Sequence, residues 1–332
     1  MLKLRKLHRG FNVAGFPAPN ILDPTQQKGR EKRAYADFRR RLRAINAEIQ
    51  ERVVDQLQPR EIAVNGLRAY LLNAEKVYIY ELDYLQLRRI DETIAEIIQR
   101  IMMQRGEQWD LWMQAYTAEA YQQGAAYAQS SLAVQSAVYA SAYSNIESVL
   151  FTPEYQRRIA VVTSRTFNSM EGFTDDLITT TRRILGDTIA QGKSPRWAAQ
   201  QLKGYLVDTE GTQAKAASRA ATIARTELGV AYRSAVMDES QRASESLGLV
   251  TKLLWVSALM ATTRRSHADR HGNLYTRAEV TEFYSKNGNA ISCRCSQVPT
   301  VVDEHGDAFS KKVLSKMDQQ KERWEASQKK AA

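Results

Sequence analysis

Residues 250–302 read VTKLLWVSALMATTRRSHADRHGNLYTRAEVTEFYSKNGNAISCRCSQVPTVV. Leu253, Leu254, Trp255 and Val256 form a short apolar run that suits a buried strand, and Val298 to Val302 suit a closing strand. Between them lie turn residues, polar groups and few large apolar side chains. That middle part, residues 257–297, buries little surface by itself and needs something else to hold it. It also holds both cysteines of the chain, Cys293 and Cys295, and two of its four histidines, His267 and His271.

His267 and His271 are four residues apart. That spacing puts two imidazoles on one side of a helical turn or at adjacent corners of a tight loop. One residue between the cysteines makes a relaxed disulfide sterically unfavourable. Two thiolates and two neutral imidazoles form a closed tetrahedral set for Zn²⁺. A structural zinc supplies about 10–16 kcal/mol of folding free energy in small peptides. His267, His271, Cys293 and Cys295 are therefore the candidate ligands of a structural zinc. Cys-x-Cys is tighter than the usual pair spacing, and the competing reading has surface histidines with the cysteines as small buried hydrophobes.

Upstream, the chain reads as helix. From Glu31 to Leu57 there is no Pro or Gly, and Phe38, Leu42, Ile45, Ile49 and Val53 recur at helical spacing. Pro59 interrupts the run. A second helix is expected over Ala74–Arg105, with Gly106 as its break. Residues 120–146 carry no charged side chain and are rich in Ala, Ser, Gln and Tyr. Their Gln and Ser content argues against a membrane span, and a pair of helices packed through small residues is expected. Pro153 opens a helix reaching Ala190. Ser194-Pro195 then supplies an N-cap and a first-turn proline for a helix to about Leu206. A last long helix runs from Lys215 to about Ser246, with Gly248 as its stop. The fold class expected is mainly α: a long helical N-terminal region, then a small α+β C-terminal domain with a zinc-stabilised loop.

The chain has 332 residues, enough for two domains, with 43% hydrophobic and 25% charged residues, as in ordinary globular proteins. The net charge of +10 is concentrated near the start, where residues 1–50 carry twelve Lys/Arg and four Asp/Glu. Residues 1–29, with three prolines and three glycines, read as an extended basic arm. Lys3, Arg5, Lys6 and Arg9, followed by Arg39, Arg40, Arg41 and Arg43, suit phosphates or an acidic protein surface, in sequence-independent and salt-dependent contacts. A solvated, solubilising tail is the alternative. The start of the chain lacks the apolar centre of a signal peptide, so synthesis in a cytoplasm is expected. No stable membrane insertion is expected.

Five pieces in order carry a family resemblance: Arg225-Thr226-Glu227 on a helix, Trp255-Val256-Ser257 on a strand, Arg264 or Arg265 with His267, Gly272, and Cys293-Arg294-Cys295 with Val298-Pro299. Together they resemble the phage head-morphogenesis family typified by the Mu protein F and SPP1 minor head proteins. Two positions depart from the family's pattern. Ala258-Leu259-Met260-Ala261 offers no Asp after the tryptophan strand, and Ser292 stands where Asn usually precedes Cys-Arg-Cys. The resemblance implies a protein present in few copies inside the head, associated with portal or inner shell, acting in assembly, DNA packaging or delivery. Expected partners are portal protein or other capsid proteins and double-stranded DNA bound without sequence preference. Arg225 and Glu227 either dock a partner or form internal ion pairs, and Trp255 belongs to the core.

The expected division is arm 1–29, helical domain 30–210, the Mu F-like domain 211–305 and a charged helical tail 306–332. No Walker loop, Gly-x-Ser-x-Gly elbow or dinucleotide fingerprint is present. The chain is therefore expected to be non-catalytic. The rival is a metal-dependent nuclease using His267 or His271 as base.

Overall fold

The computed structural model describes residues 22–63, 76–105, 111–307 and 311–331. The chain is mainly α, with a long helical part followed by a smaller strand-bearing C-terminal part, as the sequence implies. The helices are α1 (Lys28–Arg52), α2 (Tyr84–Met102), α3 (Trp112–Gln135), α4 (Ala137–Ala142), α5 (Glu147–Leu150), α6 (Pro153–Ala190), α7 (Pro195–Leu206) and α8 (Lys215–Leu247). The C-terminal part adds α9 (Arg265–Ala268), α10 (Arg277–Ser285) and α11 (Lys311–Ala331). The strands are β1 (Arg60–Ala63), β2 (Lys76–Ile79), β3 (Thr251–Val256), β4 (Leu274–Tyr275) and β5 (Ser296–Val301).

These elements form two compact units, each discontinuous in sequence. One comprises Met1–Lys32, Ala115–Arg165 and Ile223–Ala332; the other comprises Arg33–Gln114 and Thr166–Thr222. In the second unit, Phe38, Leu42, Ile45 and Ile49 of α1 are buried at the spacing that the helical period demands. Phe38 meets Trp112 and Phe173 edge-on, with ring centroids 4.8 and 5.7 Å away. The helix expected over Ala74–Arg105 begins later, at Tyr84, because the preceding residues form β2, antiparallel to β1. Val77, Tyr78 and Ile79 favour a pleated strand. Asp83 caps α2 in a capping box with Gln86. Ser194 caps α7 as expected, accepting from the Trp197 backbone N–H.

In the first unit, β3 is the central strand of an antiparallel sheet ordered β4-β3-β5, with Leu254 opposite both Leu274 and Val298. Leu253, Leu254, Trp255 and Val256 are all buried, so both faces of β3 are covered. The outer edge of β5 is closed by Gln135, at the end of α3. Its amide donates to the Pro299 carbonyl at 2.8 Å and accepts from the Val301 N–H at 2.9 Å.

The uncharged stretch 120–146 packs on α8. Tyr127 lies 6.0 Å from Tyr232, and the Tyr121 hydroxyl donates to Asp238 at 2.8 Å. The close small-residue packing expected there is thus between α3 and α8, where a Cβ on Gly124 would overlap the Tyr232 carbonyl oxygen. Of the arm expected over 1–29, residues 1–21 lie outside the described residues. Pro24, Thr25 and Gln27 are buried, and the Gln27 amide donates to Gln123 of α3 at 3.1 Å. No helix among the described residues is long and apolar enough to cross a membrane.

Replacing Gly124 by Ala is expected to destabilise the chain by about 1–3 kcal/mol through overpacking, although Ala is the better helix former. Gly172, exposed on α6 with nothing near its absent Cβ, is the control. Gly172→Ala is expected to stabilise by about 0.5–1 kcal/mol. Urea midpoints of the two variants moving in the same direction would contradict the packing described.

Candidate metal centre

The loop after β3 is pinned to the strand that precedes it. The Gly272 N–H donates to the Trp255 carbonyl at 3.0 Å, and the Trp255 N–H donates to Asn273 O at 2.9 Å. Gly272 takes φ +84, a left-handed conformation that glycine adopts without steric cost. Within this loop the single turn of α9 carries His267, whose carbonyl accepts from the Ser257 hydroxyl. The Trp255 indole N–H in turn donates to that hydroxyl at 3.1 Å. α10 starts on a Thr276–Glu279 capping box and delivers Phe283 and Tyr284. Arg264 then gathers the following turn, donating to the carbonyls of Gly288, Asn289 and Ile291 at 2.9–3.1 Å. Ser292, at φ +53, donates its N–H to Thr226 Oγ1 of α8 at 3.0 Å. The chain enters Cys293 from there.

These connections bring three buried donors together. His267 Nδ1, Cys293 Sγ and Cys295 Sγ all lie within 4.8 Å of one another. The two sulfurs are 3.4 and 3.6 Å from the imidazole nitrogen. Tetrahedral zinc with ordinary Zn–S and Zn–N bonds has an S···N edge of roughly 3.6 Å, so the donors already stand at ligand spacing. His267 Nε2 faces Asn289 Oδ1 at 3.4 Å, and Asn289 Nδ2 donates to the Phe283 carbonyl at 2.9 Å. The amide is therefore oriented with its oxygen toward the imidazole. Nε2 carries the proton in this arrangement, and Nδ1 turns its lone pair to the sulfurs, as a metal ligand must.

The surroundings favour thiolate. Arg233 of α8 is buried, donates to the carbonyls of Cys293 and Cys295 at 3.1 and 3.4 Å, and lies 4.5 Å above the Tyr284 ring. Tyr284 also stacks on Trp255. Hydrogen bonding from Cys295, helped by the Arg233 charge, holds Cys293 well below the usual thiol range against the opposing effect of burial. The same contact between the two sulfurs, with burial added, pushes Cys295 up. The two sulfurs are shifted in opposite directions by their mutual contact, and the donor set fits a soft or borderline cation.

His271 is not part of the group. An i,i+4 pair faces one way only while the helix continues, and α9 ends at Ala268. His271 instead accepts the Ser257 backbone N–H on Nδ1 at 3.0 Å and meets Gln320 of α11 through Nε2 at 3.3 Å. The closed four-ligand set expected from the sequence is thus corrected to three donors and a separate structural histidine. Beside the donors lies a cleft of about 90 Å³ lined also by Arg225, Arg264 and Arg294.

The other predicted residues sort as follows. Trp255 is fully buried. Arg225 pairs with Glu31 at 3.3 Å, and Arg294 of the Cys-Arg-Cys segment pairs with the same carboxylate. Glu227 pairs with Arg165 at 3.3 Å. Lys3, Arg5, Lys6 and Arg9 lie outside the described residues. Arg39 pairs with Asp208 at 3.1 Å and Arg40 with Asp37 at 2.5 Å, while Arg41 donates to the Ile101 carbonyl and to Gln104. Arg40 and Arg43 are exposed. Sequence reasoning missed Arg233, Asn289 and Glu31. Asn289 carried one available signal, its place in the turn-forming Asn-Gly-Asn of residues 287–289.

Residues 180–298 match the family model described as Phage Mu protein F like protein. The Mu F-like match covers about a third of the chain, from within α6 to β5, and contains all three donors. It supports a structural, head-morphogenesis role in a phage. No curated protein and no solved structure matches the chain.

Within the Mu F-like segment, burial pushes His271 down to about 4, from an ordinary value of 6.5. A depressed histidine contributes stability that is complete above pH 6.5 and is lost as pH falls toward 4, on the order of 3 kcal/mol here. His271→Gln is expected to lose that part of the pH dependence. Urea midpoints measured from pH 7 to pH 4 in chelator check it, and parallel wild-type and variant curves would refute it.

Proposed function

We propose that this chain is a phage minor head protein acting in capsid assembly, DNA packaging or delivery. In this reading it is made in the host cytoplasm and ends in the capsid interior, against portal protein or the inner shell. The family match over residues 180–298 carries the proposal. Double-stranded DNA is its second partner, contacted by the basic stretch that begins at Lys3 and continues to the exposed Arg40 and Arg43 of α1. Arg39 and Arg41, already engaged within the protein, contribute less. Mass spectrometry of purified particles and precursor heads of the encoding phage tests the head assignment, which absence from both would overturn. Deleting residues 1–21 is expected to lower DNA retention at low salt and flatten its salt dependence. Unchanged retention would favour a pure protein adaptor.

The metal in this reading is zinc, held structurally by His267, Cys293 and Cys295. It fixes the polar segment between β3 and β5 at the turns that carry its donors. The purified chain is expected to carry about one zinc, and Cys293→Ser to lose it. Asn289→Ala should weaken affinity about 10- to 100-fold by freeing the imidazole. His271→Gln should leave metal content unchanged. Zinc bound equally by wild type and Cys293→Ser would overturn the site.

A metal-dependent nuclease is the second reading, favoured by the donor count of three, which leaves a tetrahedral ion one position open. The non-catalytic reading is supported by the cleft's lining, in which no carboxylate stands ready as a general base. Plasmid cleavage with and without added divalent metal separates the two.

A further inference from the structure

We infer that the cleft beside the three donors is a binding site for one phosphate-type oxyanion. The inference builds on the metal reading above, since the donors that line the cleft would place a cation at its floor. Three guanidinium groups line the same small space: Arg225, Arg264 and Arg294. Their charges are only partly matched. Arg225 and Arg294 share a single carboxylate, Glu31. Arg264 spends its N–H groups on three backbone carbonyls and has no carboxylate partner among the described residues. The Arg294 Nε is buried without a hydrogen-bond partner.

Three cations against one carboxylate leave the arginines of the cleft and their partner positive by two charges, before the sulfurs and any metal are counted. Two thiolates bound to a divalent ion cancel its charge, so metal loading leaves this excess in place. Arg225 and Arg294 are half-buried with one carboxylate between them, which is costly, and an oxyanion is the ligand that guanidinium N–H groups recognise. The cleft's volume of about 90 Å³ is several times what one water needs. It suits one small oxyanion and excludes a nucleoside. The three arginines come from α8, from the loop before α9 and from the Cys-Arg-Cys segment, and a tetrahedral phosphate offers acceptor oxygens to more of them than a planar carboxylate does. The phosphate comes either as the free ion or as the terminal phosphate of a nucleic-acid strand, the forms that present the most unshared oxygens.

The full chain, loaded with Co²⁺, tests this by spectroscopy and titration calorimetry. Saturable Co²⁺ uptake with thiolate bands is the check on the metal reading. Inorganic phosphate is then expected to perturb the Co²⁺ visible bands and to bind with a stoichiometry of one. Arg294→Gln should weaken phosphate binding about tenfold without changing Co²⁺ uptake. Arg225→Gln, at a more exposed position, should do the same should Arg294→Gln fail to fold. Normal Co²⁺ uptake with no phosphate binding overturns the oxyanion site and leaves the metal reading standing. Should the chain take up no cobalt, the metal reading fails, and phosphate titration of the metal-free chain decides the cleft. Binding there supports it and its absence overturns it. Two short oligonucleotides, with and without a 5′-phosphate, separate the sources. Preference for the phosphorylated strand identifies a strand end, and response to inorganic phosphate alone identifies the free ion. Equal binding of both strands, not displaced by phosphate, overturns the proposal.

Discussion

The convergence of His267, Cys293 and Cys295 is the constraint from which the C-terminal part of this protein takes its order. None of the three lies in a strand or in a long helix. Each is delivered by a segment whose own backbone is held by side chains from elsewhere. Ser257 ties α9 to β3, Arg264 gathers the carbonyls of residues 288–291, and Thr226 and Arg233 anchor the Cys-Arg-Cys segment to α8. The result is a polar loop with a fixed conformation, backed by Phe283 and Tyr284 packed on Trp255. A thiolate brought to this depth is costly without a counter-charge. Arg233 supplies part of it, and the donor set is arranged to accept a cation for the rest.

The helical part was legible wherever a cap or a sustained period marked it. Ser194-Pro195 and the α1 spacing from Phe38 to Ile49 gave their elements directly, because local geometry alone determines them. β2 was not legible in the same way. Lys76–Ile79 abuts a helical pattern, and its partner β1 is a dozen residues upstream. Strand pairing is a long-range interaction that no local window contains. The one local clue was the Asp83-x-x-Gln86 capping box, which marks where α2 starts. The division into units was hidden for a related reason. Each boundary falls inside a helix, α1, α3, α6 or α8, and continuous helical periodicity runs through all four.

At the site, residue types were easier to read than geometry. Cys-x-Cys and a nearby histidine marked three residues that the fold does bring together, because few other roles concentrate those residues in so short a span. His271 was misassigned because spacing specifies a shared face only within a continuing helix. α9 lasts one turn, and the chain then bends through Gly272 back to β3. His271 is used by that bend, receiving the Ser257 N–H that the end of the strand would otherwise leave unsatisfied. Ser292 has a similar logic. Its left-handed backbone is a conformation in which Asn is several-fold enriched, which gives a physical reason for the family's usual Asn before Cys-Arg-Cys. Serine holds the same backbone here through its N–H bond to Thr226.

The change from four donors to three alters what the centre can be. A closed shell is a staple and nothing more. Three donors do not close a tetrahedral shell, and the cleft beside them is lined by three arginines among its residues. Glu31 shows that the imbalance belongs to the fold. It reaches Arg225 on α8 and Arg294 between the two cysteines, and so joins the Arg-Thr-Glu helix to the Cys-Arg-Cys segment through one carboxylate. A purely structural junction would be better served by one arginine per carboxylate, since an unmatched buried charge is destabilising. A surplus of guanidinium beside three metal-capable donors is instead the arrangement expected where an anion completes the charge balance. The centre then links the holding of the loop to recognition at the same atoms.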